Sequence, residues 1–324
     1  MKNLRFLFSI LISFIFLYLA FRRVNIAEVI QVIGSANIFY LILVLIAVVL
    51  GLIVRSYRWK IITSQYKNLP VKEFFQATNV GLMTNNILPF RLGDIMQAYF
   101  LAYKNNLSKS TVFSTIVLER LFDLIVAGLL IICSSFFVPL PRQIGRTRVI
   151  IFITVICIIV FLVFRSKEKF IGLVEKIAPS DKTSNRIKEL LENFYTGLRF
   201  IKDKKTLVNA ALCTIALWII YITTVYLCIL SFGFKLNILA AIIIQCITAI
   251  SVMIPSSPGY IGTWEFFSVL ALSIFGIVKS QALGFAVVLH FFSWLPVTVI
   301  GFFILVTSGI SFKKIETQLD GTPP

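Results

Sequence analysis

The stretch Asn85-Asn86-Ile87-Leu88-Pro89-Phe90-Arg91-Leu92-Gly93-Asp94 interrupts an otherwise moderately apolar segment, residues 73–103. A second stretch, Ile254-Pro255-Ser256-Ser257-Pro258-Gly259-Tyr260-Ile261-Gly262, interrupts residues 238–277 in the same way. Proline carries no backbone donor and glycine tolerates dihedrals that end a helix, so each break frees peptide groups. Lipid cannot satisfy those groups. In a membrane protein such breaks must be covered by protein or line a wet cavity.

The surrounding sequence places both breaks in lipid. Of 324 residues, 58% are hydrophobic and only 14% charged, where soluble domains carry about one quarter charged residues. Apolar runs at 4–21, 38–54, 149–164, 207–230, 238–254 and 282–306 approach or exceed the roughly 17 to 25 residues that span a hydrocarbon core. A seventh, 112–138, is long enough but carries charge. The first run follows Lys2 and Arg5 but lacks a small-x-small cleavage site, so it reads as a retained helix. The five cysteines form no C-x-x-C pair; they read as small buried packing residues, with no disulfide framework and no metal site expected.

A net charge of +17 would suggest nucleic acid in a soluble chain. Here its location decides. With a cytoplasmic N-terminus, 22 Lys and Arg fall inside and 7 outside, with Arg91 and Arg120 left in the membrane. That asymmetry follows the positive-inside rule and predicts a multi-pass cytoplasmic (inner) membrane protein with both termini cytoplasmic, contacting lipids and not nucleic acid. Residues 166–206 form the one long polar stretch, with an amphipathic core in Ile187, Leu190, Leu191, Phe194, Leu198 and Ile201. Two readings stand for it: a helix on the anionic cytoplasmic leaflet, or a solvated connector between two halves.

The two breaks align at an offset of 166, which sets Pro89 on Pro255, Gly93 on Gly259, Ile95 on Ile261 and Phe100 on Phe266. The predicted fold is an all-α integral membrane protein, one transmembrane domain over 1–324, with repeat one at about 1–138 and repeat two at about 149–307. Each half holds three full spans and one re-entrant broken hairpin, giving about six spans, or eight to ten if the hairpins cross. An odd number of crossings per half makes the repeats inverted, a recurring design of secondary transporters.

Four acids, Asp94, Glu119, Asp123 and Glu265, fall in embedded stretches, beside Arg91, Arg120 and the single histidine, His290. A charge at a helix centre costs about 2.5 to 3.5 kcal/mol on insertion scales, so each needs a partner or water. Glu119 and Asp123 share a helix face, and Arg120 is placed to bridge to Asp123. Together they could hold a zwitterionic head group, arginines on phosphate and carboxylates on amine, or merely neutralise one another. Glu265 begins the second half of a hairpin, where an acid complements the helix dipole. His290 reads as a hydrogen-bonded core residue, with proton coupling as its functional alternative. Tyr57-Arg58-Trp59-Lys60 reads as an interfacial anchor.

The first stretch resembles the N-x-x-x-P-x-R-x-G-E signature of the lysylphosphatidylglycerol synthase transmembrane region, a flippase-like family. Glu119-Arg120-Leu121-Phe122-Asp123 is similar to its E-R-x-x-D, and Pro258-Gly259-Tyr260-Ile261-Gly262-Thr263-Trp264-Glu265 to its P-G-x-x-G-x-x-E. The motifs run in order and cover nearly the whole chain. Asp94 replaces the usual glutamate, and Gln97 stands where the family often has arginine. The resemblance implies a lipid-translocating domain, here a stand-alone member without the aminoacyl transferase. Its substrate-binding residues would be Asn86, Pro89, Arg91, Gly93, Asp94, Glu119, Arg120, Asp123, Gly259, Gly262 and Glu265. The expected function is a transporter or flippase for a polar-headed lipid: an anionic or aminoacylated phospholipid, or a polyprenyl-linked sugar. Alternatives are a membrane-embedded lipid-modifying transferase and its scaffold subunit. No catalytic residue and no cofactor is expected, since no nucleotide loop, metal cluster or nucleophile arrangement stands out.

Overall fold

Asparagine, serine or aspartate starts five of the helices, each accepting a backbone N–H that the first turn leaves unpaired. The computed structural model describes residues 2–88, 91–138, 181–197, 203–252, 254 and 256–308, with isolated positions between 147 and 172. Helix α1 is Lys2–Phe21 and α2 is Ile26–Gly34, capped by Asn25. Asn37 caps α3, Ile38–Thr63. α4, Val71–Ile87, and α5, Leu92–Asn105, flank the first break. Ser108 caps α6, Lys109–Ser134. α7 is Asp181–Gly197. Asp203 caps α8, Lys204–Ser231, and Asn237 caps α9, Ile238–Ser251. Across the second break lie a 3-10 turn, Pro258–Tyr260, then α10, Thr263–Ser273, and α11, Lys279–Thr307. Every regular element among the described residues is helical.

Among the described residues, three helices are long and apolar enough to cross a membrane: α3, α8 and α11. At 1.5 Å per residue their 26, 28 and 29 residues measure about 39 to 44 Å, more than the roughly 30 Å hydrocarbon core. α6 is as long as α3 but carries Glu119, Arg120 and Asp123 at its middle. By contrast α4, α5, α9 and α10, with 17, 14, 14 and 11 residues, reach only about 17 to 26 Å.

Exposed apolar side chains lie along single helix faces, Ile42, Ile46, Leu50, Ile53 and Tyr57 on α3 and Leu212, Ile215 and Ile219 on α8. Such a surface suits lipid. Because lipid tails are as apolar as leucine, helix association there rests on close packing and hydrogen bonds instead of hydrophobic burial. α3 runs along α8, with Gly51 letting Ile220 and Tyr221 approach its backbone. α4 packs on α5, α3 and α11, while α9 packs on α10, α8 and α6. One core joins Val44, Ile229, Ile244 and Phe285; another joins Trp59, Phe74, Met83, Phe100 and Ile116.

Gly93 decides the first hairpin. A Cβ there would collide with the Gly81 carbonyl of α4 and with the Asn85 side chain, whose Oδ1 accepts from the Gly93 N–H at 2.7 Å. In the second hairpin Gly259 and Gly262 have φ of 67° and 93°, in the left-handed region that favours glycine. The Ser257 N–H donates to Ser13 Oγ of α1 at 2.7 Å, and Gly262 seats against the Ser13 backbone.

Several expectations need correction. Arg58 and Trp59 form no interfacial anchor; both are fully buried in α3, because Glu119 and Thr214 close over Arg58 and Phe74 and Thr115 pack on Trp59. Arg55 is 7% exposed and also belongs to the protein interior. Without these two arginines the basic residues divide 20 to 7, and the bias keeps its direction. Cys228 and Cys246 are buried as expected, but Cys133 is exposed. The helical part of the polar stretch, α7, packs on α6: Ser110 Oγ donates to the Leu190 carbonyl at 2.7 Å, and Tyr66 hydrogen-bonds the Thr196 carbonyl. Most of the expected 149–164 span, and Pro89 and Pro255, lie outside the described residues.

Candidate functional site

The two breaks meet. Asn86, at the start of the first break, donates from Nδ2 to Thr298 Oγ1 of α11 at 2.8 Å. Gly259 of the second break packs against Trp294 and lies near the Asn86 carbonyl. Beside this junction is a cavity of about 330 Å³, walled by α3, α4, α6, α8, α9, α11 and both hairpin tips. Trp218, Trp264 and Trp294 line it, and its polar wall includes Asn86, Arg91, Arg120, Asp123 and His290. That size and mixture, apolar with a few convergent polar groups, is typical of a small-molecule or head-group site.

Charges around the cavity are organised by arginines. Arg58 Nε donates to Glu119 Oε1 at 3.2 Å. Its Nη1 and Nη2 donate to Asp123 Oδ1 and Oδ2 at 2.6 and 3.2 Å, and Nη1 also to Thr214 Oγ1. The fork of the guanidinium matches the two oxygens of Asp123, as planar bidentate pairing requires. Arg120 does not bridge to Asp123 as expected. Asp123 is turned toward α3, and Arg120 Nη2 donates instead to Asp94 Oδ1 at 2.6 Å. Arg91, held in the left-handed region at φ 56° as the residue before α5, reaches Asp94 Oδ2 at 3.6 Å. Three carboxylates therefore serve Arg58, Arg91 and Arg120.

The second hairpin carries a separate pair. Glu265 Oε2 accepts the Gly262 N–H at 2.6 Å and so caps α10, as expected. Its Oε1 also sits 2.6 Å from His290 Nδ1 of α11, a link sequence reasoning had not drawn. Trp264 stacks on the His290 ring with centroids 5.0 Å apart. His290 thus faces the cavity while tied to the hairpin behind it.

Of the expected site residues, Asn86, Arg91, Arg120, Asp123 and His290 line the cavity. Asp94, Glu119 and Glu265 stand one bond behind, holding residues of that wall or Arg58. Gly93 and Gly262 lie away from the cavity and shape the hairpins; Gly259 lies at its rim beside Trp294. Gln97, 1% exposed, packs its Cβ against Gly81 of α4 and is not among the residues that line the cavity. Sequence reasoning missed Arg55, Arg58, Asn85 and Tyr260. The signal for the arginines was available: Arg55 and Arg58 are three apart, on one face of a helix whose apolar pattern runs five residues further.

Relatives match most of this chain. The UPF0104 membrane protein MJ1595 of Methanocaldococcus jannaschii is 25% identical over 94% of this chain and 96% of its own length. A second from that organism, MJ1078, is 28% identical over 68% of this chain and 92% of its own. A UPF0104 membrane protein of Methanothermobacter thermautotrophicus is 24% identical over 83% of each. No solved structure matches. The profile of the lysylphosphatidylglycerol synthase TM region matches residues 6–301, the span that contains both broken hairpins and the charged helix between them, and this membrane protein belongs to that family.

Proposed function

We propose that the chain moves a polar-headed lipid, or a lipid-linked intermediate, across the cytoplasmic membrane by exposing the charged cavity to one side and then the other. The observation that carries this reading is the cavity itself, an apolar chamber with a few convergent charged groups beside two helix breaks, in a body whose outer faces are apolar. Buried ion pairs are poor stabilisers compared with apolar packing, which favours a binding role for charges kept there.

The helices support an inverted repeat. First residues of α3 and α8, α4 and α9, α5 and α10, and α6 and α11 stand 166, 167, 171 and 170 positions apart. Packing pairs match too: α4 meets α11 as α9 meets α6, and α2 rests on α11 as α7 rests on α6. In this reading α3 and α8 lie along the pseudo-twofold axis, the short hairpins are re-entrant, and both termini are cytoplasmic. Rocking of one repeat against the other would alternate access.

The test is head-group movement in proteoliposomes, followed by dithionite bleaching of fluorescent anionic, zwitterionic and aminoacylated lipids. Wild-type protein accelerates loss of inner-leaflet signal over protein-free vesicles, and Arg91→Gln, with unfolding temperature retained, does not. Equal rates for wild-type and empty vesicles across the lipid panel would refute translocation. Product formation from lipid and an activated donor would instead favour the transferase reading.

A further inference from the structure

We infer that the cavity takes a ligand of net negative charge, a phosphate mono- or diester, and that Arg55 is the group that selects it. The inference rests on the cavity being a substrate site, as proposed above, but concerns what binds there and not whether it moves.

Arg55 lines the cavity from α3, is 7% exposed, and has Nε and Nη2 buried without a hydrogen-bond partner in the protein. Among the described residues no carboxylate pairs with it. Arginine stays charged under all ordinary conditions. The other three arginines share Asp94, Glu119 and Asp123, so four guanidiniums face three carboxylates. Even with every carboxylate ionised, one positive charge is left over. Glu265 makes no ion pair with any of the four arginines; its oxygens are held by Gly262 and His290.

An uncompensated buried cation is costly, and an anion that enters the cavity removes the cost. Arg91 and Arg120 also line the cavity, and each keeps a buried Nε without a partner in the protein. Three guanidiniums with free N–H groups suit the tetrahedral oxygens of a phosphate. The amine of a zwitterion has less to meet, because both oxygens of Asp123 are already taken by Arg58. A cationic or zwitterionic head group leaves Arg55 unmatched; an anionic one does not.

The experiment uses purified full-length protein in neutral-detergent micelles and follows tryptophan fluorescence, since three of the four tryptophans line the cavity. Three probes are titrated: dioctanoyl phosphatidylglycerol, dioctanoyl phosphatidylcholine and inorganic phosphate. Phosphatidylglycerol is expected to bind at least about tenfold more tightly than phosphatidylcholine, and Arg55→Gln to remove that preference while Arg55→Lys keeps most of it. Saturable binding of inorganic phosphate, lost in Arg55→Gln, would also support the site and identify the free anion as a source. Equal affinity for the two lipids in wild type, with no phosphate binding, overturns the inference whether or not the variants fold. Binding without translocation would sink the transport reading alone, and translocation without anion preference would sink this one alone.

Discussion

Replacing Arg58 by methionine removes four side-chain hydrogen bonds, one to Glu119, two to Asp123 and one to Thr214. Methionine fills much of the volume, so the loss is mainly electrostatic. Glu119 is fully buried and Asp123 half-buried, and both would be left without their counter-charge. Breaking a buried pair by removing one partner costs about 3–5 kcal/mol, which is roughly two to nearly four decades in the unfolding equilibrium constant. Arg58→Lys keeps the charge but cannot span both carboxylates with a planar fork, so it should lose an intermediate amount. The triple variant Arg58→Met, Glu119→Gln, Asp123→Asn removes the stranded charges and should recover most of the stability. Equilibrium unfolding in mixed micelles, read by Trp59 beside the site, measures all three. An Arg58→Met protein within about 1 kcal/mol of wild type would refute the assignment of Arg58 as the organiser of this cluster.

Gly93→Ala should destabilise by about 1–3 kcal/mol through collision with Gly81, and Asn85→Ala by about 1–2 kcal/mol through the lost bond to the Gly93 N–H, both read as unfolding free energies. Glu265→Gln should retain the cap on α10 where Glu265→Ala loses it; equal unfolding temperatures for the two would show that the Gly262 bond contributes nothing. The Asp203 carboxyl at the start of α8 is held below its usual range by hydrogen bonds, the Thr206 hydroxyl first. Because the folded value is depressed, its contribution is present above the unfolded value and is lost as pH falls through the folded one. Asp203→Ala should therefore flatten the acid limb of the stability profile. Maleimide should label Cys133 in detergent well before Cys228 or Cys246, as mass spectrometry of the intact protein would report.

Much of the fold is legible from pattern, and the reason is that lipid enforces it. Apolar length located α3, α8 and α11, and two proline-glycine clusters located the breaks, because backbone polar groups have nowhere to go in hydrocarbon. Ion-pair partners were not legible. Arg120 stands three residues before Asp123, which suggests a pair, yet its side chain finds Asp94 across a helix interface that local spacing cannot encode. Arg58 lay in a cluster with Tyr57, Trp59 and Lys60 that composition assigns to the membrane interface. Its true setting depends on α6 and α8, which close over it from 61 and 156 residues away. Glu265 and His290 were each read alone, since nothing in either segment names the other.

The contact between Ser13 and Ser257 bridges 244 positions of chain. A ribosome adding about 5–20 residues per second needs roughly 12–50 s to deliver the second partner after the first. Throughout that interval the earliest helix waits in the translocon or bilayer with a polar side chain unclaimed, and the seam closes only when the last hairpin arrives. Assembly of this protein is therefore completed near the end of synthesis, and nascent chains stopped before the second break would retain an N-terminal helix with no fixed seat.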